Sequence, residues 1–529
     1  MSAHHLWTRP MPRRALLRGA AASGLGLAAA PLFGSSARAQ TPKRGGNLRV
    51  AMLGGGTSDT LDAHVTVVQT DLLRVMLLYN CLTSLDVDAR VVKVLADSIE
   101  PNATATEWTI RLRSGVKFHN GKPLTAEDVA FTFRRIADPK TPLNGARALQ
   151  PLDLNAMKIM DERTIRLAMQ KPYAAFPEGI AVPVNFGIVP VGYDPKKPVG
   201  TGPFKFESFT PGQQSVFSRF DGYWESGMPY LDSVTVLDLA DETAAFNALQ
   251  GGQVDVFANA PLALAKQVGT GGMVKALVAR PGQWTPFTMR VDQPPFDNPD
   301  LRKALRLLVD RQQMIDLSLS GLGQVANDVF APWDPCYDST LKRERDLDRA
   351  KFLLKKAGQE NLSLELVTSD FAAGVIQAAQ VFAQQAKEAG VAVKVRQVTA
   401  DVFYGDQYLK WPFAQDYWYY SPYLSQCAQG YLPGSPFNET HWDNPAYNKL
   451  YDEAQATVDA GKRCDILHAM QKIDFEQGGY IIPSYNQSVD LMTASVEGFQ
   501  ASATGYGLAS SGYQKAWKPS TDATIRSTL

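Results

Sequence analysis

The segment from Leu362 to Thr399 predicts two parallel strands joined by a helix. Its three stretches are LSLELVTSD, FAAGVIQAAQVFAQQAKEAG and VAVKVRQVT: an alternating apolar run, a stretch with helical spacing, and a second alternating run. Two strands connected in this way lie parallel in one sheet. Because strands and helices also alternate elsewhere in the chain, the sequence predicts an α/β fold class.

A segment rich in short strands interrupts this pattern in the first half of the chain. EWTIRLRSGVKFHNGKPL (107–124) alternates on both sides of an Asn-Gly turn, which predicts a hairpin, and Thr125 is placed to cap the helix that follows. KIMDERTIRLAM (158–169) predicts two more strands. A chain of 529 residues exceeds one ordinary core. We therefore expect several domains, with repeated crossings between them that suit a hinge and a cleft.

The N-terminus predicts export. Arg13 and Arg14 precede a stretch rich in Ala, Gly and Leu, and a small-x-small motif ends at Ala39. Residues 1–39 are therefore predicted to be a signal that is cleaved near Ala39–Gln40, which places the mature protein in the periplasm. The paired arginines resemble a twin-arginine signal, but the usual flanking Ser and Phe are missing, so a Sec route stays open.

Four cysteines are scattered along the chain without a C-x-x-C pair, which argues against a zinc site or thioredoxin-like chemistry. They are Cys81, Cys336, Cys427 and Cys464. In an oxidising compartment one or two disulfides can form, and the sequence leaves all three full pairings, and free thiols, open. Since the first cysteine lies far beyond the predicted cleavage point, we expect no lipoprotein anchor.

Motifs for catalysis and for metal binding are absent beyond the predicted signal. There is no G-x-S-x-G, no H-E-x-x-H and no P-loop, and the glycines at 54–56 are more typical of a turn than of an anion cradle. The remaining histidines share no ligand spacing; they are His64, His119, His441 and His468. Beyond residue 40 the chain has 48 basic against 53 acidic residues, which excludes an electrostatic footprint for nucleic acid. We expect no cofactor, no metal and no enzymatic activity.

Three stretches together resemble landmarks of the family 5 solute-binding proteins, the extracytoplasmic receptors of ABC importers for peptides, opines, nickel and related solutes. The stretches are TIRLRSGVKFHNGKPLTAEDVAFTFRRI (109–136), PVGTGPFKFESFTPG with DGYWESGMPYLD (198–232), and QPPFDNPDLRKALRLLVDRQQMID (293–316). GGNLRVA near the mature start and GGYIIPSYN near the end match as well. The resemblance therefore covers almost the whole mature chain.

The resemblance implies a periplasmic binding protein-like architecture with two lobes around a hinge and a cleft. We expect three domains. Domain I consists of three separate segments, 41–70, 196–283 and 482–529; domain II is the β-rich insertion, 71–195; and domain III is the second lobe, 284–481. The resemblance also implies partners: a solute, and an ABC permease and ATPase complex in the inner membrane. We expect the protein to be a monomer.

The most aromatic segment of the chain is DYWYYSPYL, 416–424. In peptide-binding members the corresponding region resembles W-x-x-D-Y-P-D-P, and its Asp pairs with the α-amino group of the ligand. Trp418 matches the tryptophan, but no Asp occupies the expected place, so this contact cannot be carried over. Asp416 is a substitute partner for a cation, or else an exposed carboxylate of a loop.

Alternation along an extended segment places Tyr417 and Tyr419 on one side and Trp418 and Tyr420 on the other, so one set can pack inward while the other meets a ligand. Arg290 stands where family members often have Asn, and it could hold a ligand carboxylate or form a surface ion pair. The predicted ligand-contacting residues are Trp418, Tyr420, Tyr417, Asp416, Arg290, Trp284 and Thr57.

The sequence thus predicts a substrate-binding component of an ABC importer that takes up a peptide or a small amino-acid-derived solute. Capture of nickel or haem is the alternative within this class, against which the dispersed histidines argue. A secreted hydrolase is the alternative from another class, which the missing catalytic motifs disfavour.

Overall fold

The computed structural model describes residues 41–66, 68–182, 185–268, 272–505, 508 and 512–519. The predicted export signal, residues 1–39, lies outside the described residues. Within the described portion of the chain, no helix combines the length and the apolar character that crossing a bilayer requires. The described residues from Pro42 onwards form one compact unit.

Strands and helices alternate along the described residues. The strands are β1 (Asn47–Leu53), β2 (Thr83–Leu85), β3 (Val91–Lys93), β4 (Ala96–Pro101), β5 (Glu107–Leu112), β6 (Lys158–Asp161), β7 (Thr164–Ala168), β8 (Phe204–Thr210), β9 (Gln214–Arg219), β10 (Ser233–Leu239), β11 (Val256–Phe257), β12 (Val274–Val278), β13 (Gln283–Trp284), β14 (Phe287–Met289), β15 (Gly323–Val325), β16 (Ser363–Thr368), β17 (Ala392–Gln397), β18 (Phe413–Gln415), β19 (Tyr480–Ile481), β20 (Ser484–Asn486) and β21 (Val489–Thr493). The α-helices are α1 (Gln69–Leu78), α2 (Ala126–Ile136), α3 (Phe176–Gly179), α4 (Glu242–Gln250), α5 (Leu262–Gln267), α6 (Pro299–Leu307), α7 (Arg311–Ser318), α8 (Leu347–Lys356), α9 (Val375–Glu388), α10 (Ala400–Phe403), α11 (Tyr423–Gly430), α12 (Pro445–Ala456) and α13 (Ala460–Gln477).

Most strands belong to three sheets. A seven-stranded sheet has the order β12-β21-β11-β1-β10-β9-β8, a four-stranded sheet the order β4-β5-β7-β6, and a five-stranded sheet the order β17-β16-β18-β14-β19. β1 pairs in parallel with β10 and β11, and β16 pairs in parallel with β17 and β18. The predicted crossover is confirmed as β16-α9-β17. The predicted limits of the three domains stay predictions.

A small three-stranded sheet lies where the chain passes between the seven-stranded and five-stranded sheets. β13 leads from β12 to β14, and β20 leads from β19 back to β21. These two connections are antiparallel neighbours, with Gln283 opposite Asn486 and Trp284 opposite Tyr485. The two larger sheets are therefore connected by adjacent strands.

Apolar residues cover both faces of the seven-stranded sheet. Val50 lies in a buried cluster with Leu77 of α1, and its neighbour Ala51 lies in another cluster with Leu249 of α4. Since successive side chains of a strand point to opposite faces, helices pack on each side of this sheet. The five-stranded sheet packs in the same manner on α9, where Phe382 contacts the ring of Phe287.

Helix signals in the sequence fix several boundaries. Thr125 begins α2 as predicted, and its backbone N–H donates to Asp128 Oδ2 at 2.9 Å. The chain from Asn298 to Gly321 forms two helices, α6 and α7. Asp310 accepts from the backbone N–H of Gln313 and begins α7 as a separate helix.

One disulfide links Cys336 to Cys464 of α13, with Cα atoms 4.9 Å apart and a sequence separation of 128 residues. Cys81 and Cys427 are buried and keep their thiols. Burial raises the pKa of the Cys81 thiol to about 12, which leaves it unreactive at neutral pH. The sequence alone had left this pairing open among the three possible ones.

Replacing both Cys336 and Cys464 by Ala should lower the free energy of unfolding by about 2–4 kcal/mol, since the crosslink restricts a long loop of the unfolded chain. Urea unfolding with and without reductant measures the effect. In reductant, the free energy of unfolding of the wild-type protein should fall to that of the double variant. The free energy of unfolding of the double variant should not change with reductant. Equal stability of oxidised and reduced wild-type protein would contradict the prediction.

Candidate functional site

A small cavity of about 10 Å³, enough for about one water molecule, lies at the carboxyl ends of the parallel strands β1 and β11. Its lining residues are Met52, Gln69, Leu72, Leu73, Ala258, Asn259, Tyr419 and Leu508. In open α/β sheets, ligands bind outside the carboxyl ends of the strands. Tyr419 belongs to the aromatic segment, which begins directly after β18 of the five-stranded sheet. The cavity is therefore formed by elements next to both larger sheets.

Two side-chain amides supply the polar portion of the cavity wall. Gln69 is the first residue of α1, and Asn259 follows β11 with a left-handed φ of 51°. The Asn259 side chain donates to Gln69 Oε1, and its backbone N–H donates to Asp490 Oδ1 at 2.9 Å. Burial raises the pKa of Asp490 to about 7. The wall thus combines apolar side chains with a fixed pair of hydrogen-bonding amides, as small-molecule sites require.

Trp418 and Trp284 lie in the core behind this wall. Their backbones exchange two hydrogen bonds of 2.8 and 3.0 Å, and their rings stack with centroids 5.8 Å apart. Trp284 also stacks on Phe330, at 5.7 Å. Trp284 is 1% exposed, Trp418 8% and Tyr420 1%. These three of the seven predicted ligand-contacting residues therefore pack inward.

The opposite side of the aromatic segment meets the cavity. The ring of Tyr417 lies 5.8 Å from that of Phe371 and 5.7 Å, edge to face, from that of Tyr419. The alternation of facing directions matches the sequence interpretation. Tyr419 lines the cavity, however, although it was not in the predicted set of ligand-contacting residues. Sequence alternation separated the two sets but could not tell which one faces a ligand.

Asp416 follows β18 and is buried, with 4% exposure. Its Oδ1 accepts from the Tyr404 hydroxyl and from the backbone N–H of Tyr417, both at 2.8 Å. Burial raises the pKa of Asp416 to about 6. Glu439, which no sequence signal indicated, lies against it; burial, followed by the charge of Asp416, raises the pKa of Glu439 well above its usual range.

Arg290 and Thr57 are not among the residues that line the cavity. The guanidinium of Arg290 makes two hydrogen bonds to Asp292, of 2.8 and 2.7 Å, and a third to the Leu409 carbonyl at 3.2 Å. Thr57 is exposed in the loop between β1 and α1. The described residues contain no group of three or more His, Cys, Asp or Glu side chains arranged to hold a metal ion.

Polar side chains without partners lie at the carboxyl ends of β16 and β18. Gln415 is fully buried, and neither its Oε1 nor its Nε2 has a hydrogen-bond partner among the described residues. The hydroxyl of Thr368, on the neighbouring parallel strand, is in the same situation. A buried polar group left unsatisfied costs about 1–3 kcal/mol. Both side chains lie at the edge of the five-stranded sheet from which the aromatic segment begins.

A buried charge cluster supports the helix that lines the cavity. Arg74 of α1 is fully buried and donates to Asp59 at 2.8 Å, to Asp71 at 3.0 Å and to Asp238 at 2.6 Å. Burial raises the pKa of Asp71 to about 6. The cluster joins the loop after β1 to α1 and β10, and so fixes the position of Gln69, Leu72 and Leu73 in the wall.

Comparison with known proteins gives one family. The family model described as "Bacterial extracellular solute-binding proteins, family 5 Middle" matches residues 90–448. The chain is 30% identical over 342 residues to the glutathione-binding protein GsiB of Pectobacterium atrosepticum, covering 61% of this chain and 63% of that protein. It is 25% identical over 465 residues to GsiB of Escherichia coli K12, covering 84% of this chain and 89% of that protein.

Solved structures agree in fold. The periplasmic binding protein AgaA of A. tumefaciens R10, in complex with agropinic acid, superposes with a TM-score of 0.78 at 25% identity, covering 90% of this chain and 99% of that chain. The periplasmic binding protein DppA of Helicobacter pylori, in complex with the peptide STSA, also gives 0.78, at 20% identity, covering 90% and 98%. The predicted fold class is therefore confirmed.

Proposed function

The chain belongs to the bacterial extracellular solute-binding proteins of family 5, and we propose that it captures a peptide or a small amino-acid-derived solute for an ABC importer. A member of this family binds solutes for transport and is not an enzyme. Delivery to a permease and ATPase complex, a periplasmic location after removal of residues 1–39, and a monomeric state belong to the same proposal.

The observation that carries the proposal is the composition of the cavity wall. Gln69 and Asn259 belong to the region built on the seven-stranded sheet, whereas Tyr419 comes from the segment that follows the five-stranded sheet. The cavity itself is small, so a solute would enter between these two regions when they move apart, and it would then contact both. A ligand favours closure only through contacts that are better in the closed state, and this arrangement provides them.

The paired connections β13 and β20 are suited to serve as the hinge. Hinges in binding proteins are short segments at the ends of elements that absorb the change in backbone angles. Here both connections run next to each other, with Trp284 opposite Tyr485. Opening about these strands would separate Tyr419 from Gln69 and Asn259 and expose the cavity.

The solute class follows from the relatives together with the site. The relatives bind glutathione, agropinic acid and a peptide, which favours a peptide or an amino-acid derivative here. Tyr419 is proposed to contact the solute directly, and Trp418, Trp284 and Tyr420 to support the wall from the core. Asp416, Tyr417, Arg290 and Thr57 remain proposed contacts of lower rank, since none of them lines the cavity.

A saturating solute should stabilise the protein, by about 2.7 kcal/mol when free solute is at 100 times its dissociation constant. Thermal or urea unfolding across a panel of glutathione, dipeptides and opines measures this shift, after any co-purified ligand has been removed. Gln69→Ala and Tyr419→Ala should reduce the shift at fixed solute concentration. Gln213→Ala is the matched control because Gln213 is exposed in a turn and is not among the residues that line the cavity.

Two outcomes would contradict the proposal. One is the absence of any shift across the panel, together with the absence of a co-purified small molecule in native mass spectrometry. The other is a solute-induced shift that is as large in Gln69→Ala and Tyr419→Ala as in Gln213→Ala. That result would mean that the solute binds elsewhere.

A further inference from the structure

A second cavity, of about 140 Å³, lies between the region of the four-stranded sheet and α12. One side contains Arg147 and Gln150, which precede β6, and Tyr173, which follows β7. The other side is formed mainly by α12. A protein cavity of about this size is known to hold benzene, so there is room for a molecule of about six non-hydrogen atoms.

Direct bonds hold the two sides of this second cavity together. Lys171 Nζ lies 2.7 Å from Asp452 Oδ1 of α12, and both side chains are largely exposed. Deeper in the contact, the backbone N–H of Ala174 donates to the carbonyl of Gln455 at 2.5 Å. The segment after β7 is therefore fixed against α12, and a ligand in the cavity would contact both sides.

Arg147 gives the second cavity a positive charge. Its half-buried guanidinium donates to Gln150 Oε1, and the described part of the chain supplies no carboxylate to pair with it. The other basic side chain in the lining, Lys171, is already paired with Asp452. One positive charge is thus left without compensation, which favours an anion. The planar guanidinium is suited to a carboxylate, which it can bind through two N–H groups.

Asn448 of α12 supplies an acceptor for a second group of the ligand. Its Nδ2 donates to Asp443 Oδ1 at 2.8 Å, which fixes the orientation of the amide. Its Oδ1 is buried and has no hydrogen-bond partner among the described residues, although Asn448 lines the cavity. This oxygen requires an O–H or N–H donor. A neutral hydroxyl suits the position better than an ammonium group, which the charges of Arg147 and Lys171 would repel.

We propose that this second cavity is a binding site for a small hydroxycarboxylate, whose carboxylate pairs with Arg147 and whose hydroxyl donates to Asn448 Oδ1. The inference goes beyond the proposed function, because the two cavities have no lining residue in common. Tyr451 adds a further donor to the wall, since its hydroxyl accepts from Gln455 Nε2 and keeps its own hydrogen for a ligand oxygen.

Calorimetric titration of the solute-free protein with lactate and with propanoate, which lacks the hydroxyl, tests this assignment. Wild-type protein should bind propanoate roughly threefold to tenfold more weakly than lactate, as the loss of one hydrogen bond predicts. Arg147→Gln should weaken both probes by roughly tenfold or more, because a hydrogen bond between charged groups is lost. Asn448→Leu should lower only the affinity for lactate, to that for propanoate. Urea unfolding checks that each variant is folded.

Arg134→Gln is the matched control, since Arg134 is exposed on α2 and lines neither cavity, and it should leave both affinities unchanged. Three results would overturn the proposal: no binding of lactate by wild type, equal affinity of wild type for lactate and propanoate, or an affinity for lactate that Arg147→Gln does not change.

The same variants separate this site from the solute cavity. Tyr419→Ala should bind lactate as wild type does, and a loss of lactate binding in that variant would mean that lactate occupies the solute cavity, which also overturns the proposal. Arg147→Gln should keep the stability shift that the panel of glutathione, dipeptides and opines produces. A solute-induced shift that falls in Arg147→Gln but not in Tyr419→Ala would make the second cavity the solute site and would overturn both proposals.

Discussion

Arg74→Met should lower the free energy of unfolding at pH 7 by about 3–5 kcal/mol, the usual result when one partner is removed from a buried ion cluster. Arg74 is fully buried and is the cation bound to Asp59, Asp71 and Asp238. Methionine fills a similar volume but leaves the carboxylates buried together without compensation. Urea unfolding at pH 7 measures the loss.

The loss in Arg74→Met should shrink as the pH falls from 7 to 5. Burial raises the pKa of Asp71 to about 6 even with Arg74 present, and removal of the cation raises it further. A carboxyl group whose pKa is higher in the folded than in the unfolded state binds a proton on folding. Its stabilising contribution is therefore present at low pH and disappears as the pH rises through the folded pKa. Protonation near pH 5 relieves the repulsion in the variant.

The control for Arg74→Met is Arg90→Met, because the Arg90 side chain is 76% exposed and only loosely paired with Asp88 at 4.0 Å. It should change the stability little at either pH. A loss below about 1 kcal/mol in Arg74→Met, or a loss that does not depend on pH, would mean that the cluster is neutralised in another way. Since α1 supplies Gln69 to the cavity, solute affinity should fall together with stability.

Local patterns in the sequence predicted those features of the fold that depend on neighbouring residues. The crossover at 362–399 and the start of α2 at Thr125 are such features, because apolar period and cap chemistry act within a few residues. The Asn-Gly turn predicted within 107–124 forms, and it closes a short antiparallel bridge in which the N–H of Phe118 donates to the Lys122 carbonyl at 2.8 Å. The strand before it, β5, does not pair across this turn; it pairs with β4 and β7.

Long-range contacts decided the rest of the candidate site. Alternation separated Tyr417 and Tyr419 from Trp418 and Tyr420, but the side that meets a cavity depends on which element packs behind the segment. That element contains Trp284, which is distant in the chain. No local pattern in the sequence indicates Glu439, since its proximity to Asp416 depends on how the chain folds. The pairing of Cys336 with Cys464 is of the same kind.

Trp418→Ala should destabilise the solute-free protein by about 3–5 kcal/mol, as large aromatic truncations in a core do. Trp418 stacks on Trp284, its backbone is bonded to the same residue, and its ring packs against the Cα of Gly430 so closely that a Cβ there would lie 2.6 Å from it. The indole therefore fills space between the aromatic segment and α11. Solute binding by the protein that remains folded should be nearly intact.

Tyr419→Ala should give the reverse result, because Tyr419 is half-buried and lines the cavity. Its truncation should cost roughly 2 kcal/mol or more in solute affinity, as for an aromatic anchor, while the unfolding of the solute-free protein changes much less. Calorimetric titration measures the solute affinity of both variants, and urea unfolding measures their stability without solute. If Trp418→Ala loses affinity while keeping its stability, the indole contacts the solute and the assignment of the two faces must be exchanged. The two neighbouring rings thus distinguish support of the wall from contact with the solute, since they differ in the side of the segment on which they lie.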